Sequence, residues 1–129
     1  MAFISGGGSP FFNDAVADTV VAVKQVGPAQ ILGMKLVNTT DADAYLQIFN
    51  IPAGGVTLGT TPATFTVHLI SSESVWMGFS TPLAISAAGN PLTVSASGIN
   101  GTGGGMSIAG TTTATGDTGA AISVSMIYL

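Results

Sequence analysis

The sequence predicts an all-β fold, an antiparallel β-sandwich of eight or nine short strands in a jelly-roll-like arrangement. Three observations carry that prediction. Gly and Pro recur at close intervals and break the apolar residues into short runs. Between those breaks, apolar residues alternate with Ser, Thr and other small polar residues, the period-two signal of half-buried strands. No segment keeps a helical period over a useful length, and eight strands at this spacing suit two packed sheets.

The elements follow in order. Residues 1–14, with Gly6-Gly7-Gly8-Ser9-Pro10, read as a flexible N-terminal arm that could anchor on a neighbouring subunit through Phe11 and Phe12. Residues 15–129 read as a single domain, the natural count at this length. Thr19–Val26 is β-branched and stops at Gly27-Pro28. Ile31–Asn38 places Leu32, Met34 and Leu36 on one face and Lys35 on the other. Thr39–Asp43 is a polar turn, and Tyr45–Ile51 sets Leu46 and Ile48 opposite Tyr45, Gln47 and Phe49. Pro52–Pro62 is a Gly- and Thr-rich loop.

In Thr64–Ile70, Phe65, Val67 and Leu69 share a face, with Thr66 and His68 opposite. Ser74–Phe79 groups Val75, Met77 and Phe79 and turns Trp76 the other way. Leu83–Ala87 and Leu92–Ser97 are shorter alternating segments separated by Gly89-Asn90-Pro91. A glycine-rich excursion, Ile99–Gly105, precedes a brief strand at Met106–Ala109 and a polar loop at Thr111–Gly119. The chain closes on a strand with Ile122, Val124, Met126 and Tyr128 on one face.

Composition narrows the function. Two lysines, six acidic residues, one histidine, no arginine and no cysteine leave only 6 % of the chain charged, while 47 % is hydrophobic. Ordinary domains devote about a quarter of their residues to charge, and mixed surface charge is what keeps neighbours apart. So little charge suits a chain that meets other protein over much of its surface. A net charge of −4 with only Lys24 and Lys35 as cations speaks against nucleic acid, whose binding rests on neutralising phosphates. No run of about 18 apolar residues is present to span a membrane as a helix. Met1–Pro10 lacks the basic residues and long apolar stretch of a signal peptide. Assembly where the chain is translated is the expectation.

Few residues could carry chemistry. His68 is the single histidine, with Glu73 close in sequence, and catalysis would require a nucleophile brought in by folding. A structural or interface role for His68 is expected. Asn38, Asp41 and Asp43 could offer oxygens to calcium, but the terminal Glu of a calcium loop is missing. The same residues favour turns for backbone reasons, so a solvated turn and no metal are expected. Gly101-Thr102-Gly103-Gly104-Gly105 superficially resembles a phosphate cradle but lacks the Lys-Ser/Thr ending and a following helix. No cofactor is expected, and the scarcity of acid–base pairs speaks against an enzyme. Trp76, Tyr45 and Phe49 lie opposite the presumed core faces, and exposed aromatics are enriched at interface hot spots. With Phe11 and Phe12 they form the candidate contact set.

A resemblance adds to this reading. Leu36-Val37-Asn38-Thr39-Thr40, Ala44-Tyr45-Leu46-Gln47-Ile48-Phe49-Asn50, Gly59-Thr60-Thr61-Pro62 and Phe65–Leu69 carry its first half. Gly78-Phe79-Ser80-Thr81, Leu83-Ala84-Ile85-Ser86, and Gly116-Asp117-Thr118 before Ile122-Ser123-Val124 carry the second. In this order the segments resemble small β-sandwich structural proteins of tailed bacteriophages, of the head-decoration or cement type. The resemblance runs from Ile31 to the C-terminus and consists mainly of strand and turn signals. Pro82 departs from it, standing where a glycine is expected before the apolar strand.

The resemblance implies a virion structural protein without catalytic residues. Its partner would be the major capsid protein, and its state a homo-oligomer, a trimer on the capsid surface, assembled in the host cytoplasm. The alternative is a tail, fibre or receptor-binding component, which would carry exposed aromatics beside Asp, Asn and Gln. A sugar-binding module from a cellular source is a more distant reading.

Overall fold

Alternation of apolar and polar residues produces eight strands among the described residues, which in this computed structural model are 8–25, 29–85 and 105–129. They are β1 (Ser9–Val16), β2 (Val21–Lys24), β3 (Ala29–Asn38), β4 (Ala44–Phe49), β5 (Phe65–Leu69), β6 (Ser74–Ile85), β7 (Met106–Thr111) and β8 (Ile122–Tyr128). A single 3-10 turn, Ala53–Gly55, lies in the β4–β5 loop. None of the helical structure described is long and apolar enough to cross a membrane.

Pairing is nested: β1 with β8, β2 with β7, β3 with β6 and β4 with β5, all antiparallel. This is the pattern of one long hairpin rolled over on itself. Further pairing of β3 with β8 and of β4 with β7 closes two four-stranded sheets. Their orders are β1-β8-β3-β6 and β2-β7-β4-β5, the jelly-roll arrangement of an antiparallel sandwich.

The core lies between the sheets. Met34, Leu36, Val124 and Met126 of the first sheet share one apolar cluster with Leu46, Ile48, Val67 and Ile108 of the second. In β8 the buried residues are every second one, as a strand with one core face requires.

Three expectations change. Residues 9–14 are not an arm: they form most of β1, whose Ser9 to Asn13 pair in register with Tyr128 to Val124. The backbone groups of this segment find partners in β8, which a free arm would leave to water. Residues 1–7 lie outside the described residues. In β3 the core residue is Ile31, fully buried, and not Leu32, which is half-buried. A register shift between Ile31 and Gly33 reverses the alternation at that point.

The third change is that Ser74–Phe79 and the described part of the next expected segment, Leu83–Ile85, are joined in one strand. Against β3 the pairing runs from Gly33↔Gly78 to Ile31↔Leu83, so β6 carries extra residues across the shift. Pro82 falls inside that irregular stretch of an edge strand, where a missing N–H costs no ladder bond. The expected segment Leu92–Ser97, the break Gly89-Asn90-Pro91 and the glycine run Gly101–Gly104 lie outside the described residues, as does the Phe79 side chain.

Candidate functional site

Strand register builds a surface that no local motif announces. Phe12 on β1 opposes Ser125 on β8, Ser125 opposes Lys35 on β3, and Lys35 opposes Trp76 on β6. These four side chains form one row across the outer face of the first sheet, because their neighbours Phe11, Met126, Leu36 and Met77 turn towards the core. The next row is Pro10, Ile127, Gly33 and Gly78. Two large aromatic side chains therefore stand at opposite edges of the sheet, and the neighbouring row is low at Gly33 and Gly78.

Phe12 and Trp76 are each 67 % exposed, the most exposed large hydrophobic side chains among the described residues. Between them runs a groove of about 260 Å³, bounded by Pro10, Phe12 and Trp76 and floored by Gly33, Ser125 and Ile127. The glycines are what make room. A Cβ on Gly33 would meet Trp76 Cζ2 at 3.9 Å, and one on Gly78 would meet Trp76 Nε1 at 3.8 Å. The indole thus leans over the two glycines instead of standing away from the sheet. The groove is almost wholly apolar: Ser125 is the single polar side chain that lines it.

The other candidate contact residues fare differently. Phe11 packs against the core from β1, so of the adjacent pair only Phe12 is presented outward. Phe49, expected outside, is 1 % exposed. It does point away from the main core, but that face of the second sheet is roofed by loops. The Ser107 hydroxyl donates to Ile51 O at 2.9 Å, Gln47 Nε2 donates to Thr111 Oγ1 at 2.8 Å and Gly116 O at 3.2 Å, and Thr111 Oγ1 donates to Thr113 O at 2.8 Å. The two roofing loops meet where a Cβ on Gly59 would lie 3.5 Å from Asp117 Cβ. Buried polar side chains on a covered face satisfy one another in this way. Phe49 is withdrawn from the contact set for that reason.

Tyr45 is half-buried and stacked on His68, its cross-strand partner, with ring centroids 4.5 Å apart and planes 8° from parallel. His68 Nε2 lies 3.0 Å from Asp43 Oδ2, and the two side chains are 47 % and 54 % exposed. The partner of His68 is therefore Asp43. Glu73, the neighbour in sequence, instead accepts the Ile70 N–H at 2.9 Å and closes the β5–β6 turn. The cluster ties β4, β5 and the β3–β4 turn together at the surface.

Asn38, considered above as a calcium ligand, is the hub of two turns. It is 1 % exposed. Its Nδ2 donates to Ala42 O, Leu69 O and Ile70 O at 2.7, 3.2 and 2.9 Å, and its Oδ1 accepts from Thr40 N and Thr40 Oγ1 at 2.9 and 2.7 Å. An Asn side chain so used is turn chemistry. No group of three or more His, Asp or Glu side chains able to hold a metal ion is formed among the described residues.

Neither a family model, nor a curated protein, nor a solved structure matches the chain. The geometry of the Phe12–Trp76 face is thus the main guide to what the molecule does.

Proposed function

We propose that the chain is a non-enzymatic structural protein of a virus particle, a decoration or cement protein that binds across joints between major capsid subunits. The observation that carries this reading is the outer face of the first sheet. There Phe12 and Trp76, each 67 % exposed, flank an apolar groove on a chain that is 6 % charged. Contiguous exposed apolar surface marks contact with other macromolecules. Covering two such aromatic side chains recovers about 5–8 kcal/mol of transfer free energy before the costs of association.

The chemistry of the groove favours protein over carbohydrate. Sugar recognition requires several placed hydrogen-bond donors and acceptors beside the aromatic platform, and here Ser125 lines the groove with Lys35 beside it in the same row. The jelly roll is shared by viral capsid and lectin domains; that is an analogy of fold, and the apolar lining supports the former reading. The resemblance of the strand and turn segments from Ile31 onward to phage head-decoration proteins points the same way. In this reading a homotrimer on the capsid surface repeats the contact, so many modest interfaces act together against expansion of the shell.

The test is co-sedimentation of the purified chain with shells of the major capsid protein of the same phage, comparing wild type with Phe12→Ser and Trp76→Ala. Wild type should pellet with the shells, and each variant should lose most of that binding while keeping its melting temperature. Equal pelleting of variants and wild type would remove the face from the account.

A further inference from the structure

We infer that the partner meets the Phe12–Trp76 face with a carboxylate, an Asp or Glu side chain set against Lys35 within an otherwise apolar contact. This rests on the capsid reading and adds the chemistry that the partner surface must carry. Three observations lead to it.

The first is position. Lys35 is exposed and stands in the row Phe12, Ser125, Lys35, Trp76, with Trp76 beside it on β6 and Ser125 on β8. Adjacent strands lie about 4.8 Å apart, so the whole row spans about 14 Å. Lys35 rises from an inner strand of the sheet, not from its rim. A partner that covers both Phe12 and Trp76 therefore covers the lysine between them.

The second is the lack of an internal counter-charge. All six acidic residues lie among the described residues, and Lys35 is the single cationic side chain of the first sheet. The Lys35 ammonium makes no ion pair or hydrogen bond among the described residues. Asp41 and Asp43 belong to the β3–β4 turn, where Asp43 meets His68, and Glu73 accepts the Ile70 N–H. Asp18 lies against Gly119 and Asp117 against Gly59. Asp14 is on β1, two strands from β3 and so roughly 10 Å away at the closest.

The third is the cost of covering the charge unpaired. A lysine in water needs no partner, but beneath another protein it loses that water, and an ammonium left without an acceptor opposes binding. Lys35 thus acts as a filter: a purely apolar partner surface is rejected, and one with a carboxylate in register is accepted. Gly33 and Gly78, where the face is low, lie two residues along from Lys35 and Trp76, about 7 Å. The matching surface is an apolar side chain seated in the groove with an acidic one about 7 Å from it.

The capsid-shell co-sedimentation assay tests this with Lys35→Met, Lys35→Arg and Lys35→Glu beside Trp76→Ala. The Lys35 side chain is exposed, so its variants should keep the wild-type melting temperature, which circular dichroism verifies. Lys35→Met retains an apolar stem and removes the charge. It should bind on the order of 30-fold more weakly, the effect of leaving the partner's carboxylate unpaired. Lys35→Arg should bind more tightly than Lys35→Met, and Lys35→Glu more weakly still, because two carboxylates then face each other. Wild-type binding that is lost in Trp76→Ala but equal or tighter in Lys35→Met overturns the inference and leaves the capsid reading standing. Wild type that stays in the supernatant overturns both.

Discussion

Replacing Asn38 by Ala removes the side chain that joins the β3–β4 turn to the β5–β6 turn, and its cost can be worked bond by bond. Five hydrogen bonds are lost, three donated by Nδ2 and two accepted by Oδ1. Two of the released carbonyls keep other partners: Ala42 O still accepts from Thr40 Oγ1, and Ile70 O from the Glu73 N–H. The bond to Leu69 O is the fully buried one, and losing one partner of a buried hydrogen bond costs about 1–3 kcal/mol. The two bonds to Thr40 add about 1 kcal/mol at the partly exposed turn. A loss near 3 kcal/mol is therefore expected from a domain whose whole stability is about 5–15 kcal/mol. At a urea m-value of about 2 kcal/mol/M the unfolding midpoint should fall by on the order of 1.5 M. Asn38→Asp keeps the acceptor oxygen but points a second oxygen at three carbonyls, so it should be no less damaging than Asn38→Ala. A drop below about 1 kcal/mol for Asn38→Ala would refute the reasoning, because the buried bond and the two bonds to Thr40 together should exceed it.

Other substitutions test the packing and the surface separately. Gly110→Ala would place a Cβ 2.5 Å from both Ala120 O and Val16 O, backbone atoms with no room to yield, and should cost at least about 3 kcal/mol by thermal melting. Gly54→Ala meets nothing within 4 Å and should leave the melting temperature within about 2 °C of wild type. Gln47→Leu leaves Thr111 Oγ1 and Gly116 O without their donor beneath the roofing loop, and a loss of about 1–3 kcal/mol in urea unfolding is expected. His68→Ala removes a surface contact with Asp43 whose members are 47 % and 54 % exposed, so competition from solvent should hold the loss below about 1 kcal/mol.

How much of this was legible in the sequence depends on how local the cause is. Period-two alternation placed Met34, Leu36, Val67, Leu69, Val124 and Met126 inward, and all are buried. Trp76 was correctly turned outward because Val75 and Met77 flank it on one strand face. The Asn38-Thr39-Thr40-Asp41 stretch was readable as a turn because Asn bonds its own nearby backbone. What alternation cannot see is what covers an outer face. Phe49 has the right parity for exposure, yet the β4–β5 loop and the distant β7–β8 loop, meeting at Gly59 and Asp117, roof its sheet. Parity also fails at a bulge, which is why Ile31 replaces Leu32 in the core. Residues 9–14 read as part of an arm because Gly6-Gly7-Gly8 precede them and Pro10 lies among them, whereas β8 supplies the pairing that makes them a strand. The groove was least legible of all, since it is assembled from four strands by register and depends on two glycines for its depth.

The proposed virion role is tested most directly by the copy number of this chain in purified virus particles from the source that expresses it, measured by quantitative mass spectrometry against the major capsid protein. The account predicts hundreds of copies, at parity with the capsid subunit or a simple fraction of it. A dozen copies would assign the chain to the tail or fibre and contradict the cement reading, and absence from the particle would contradict a virion role altogether.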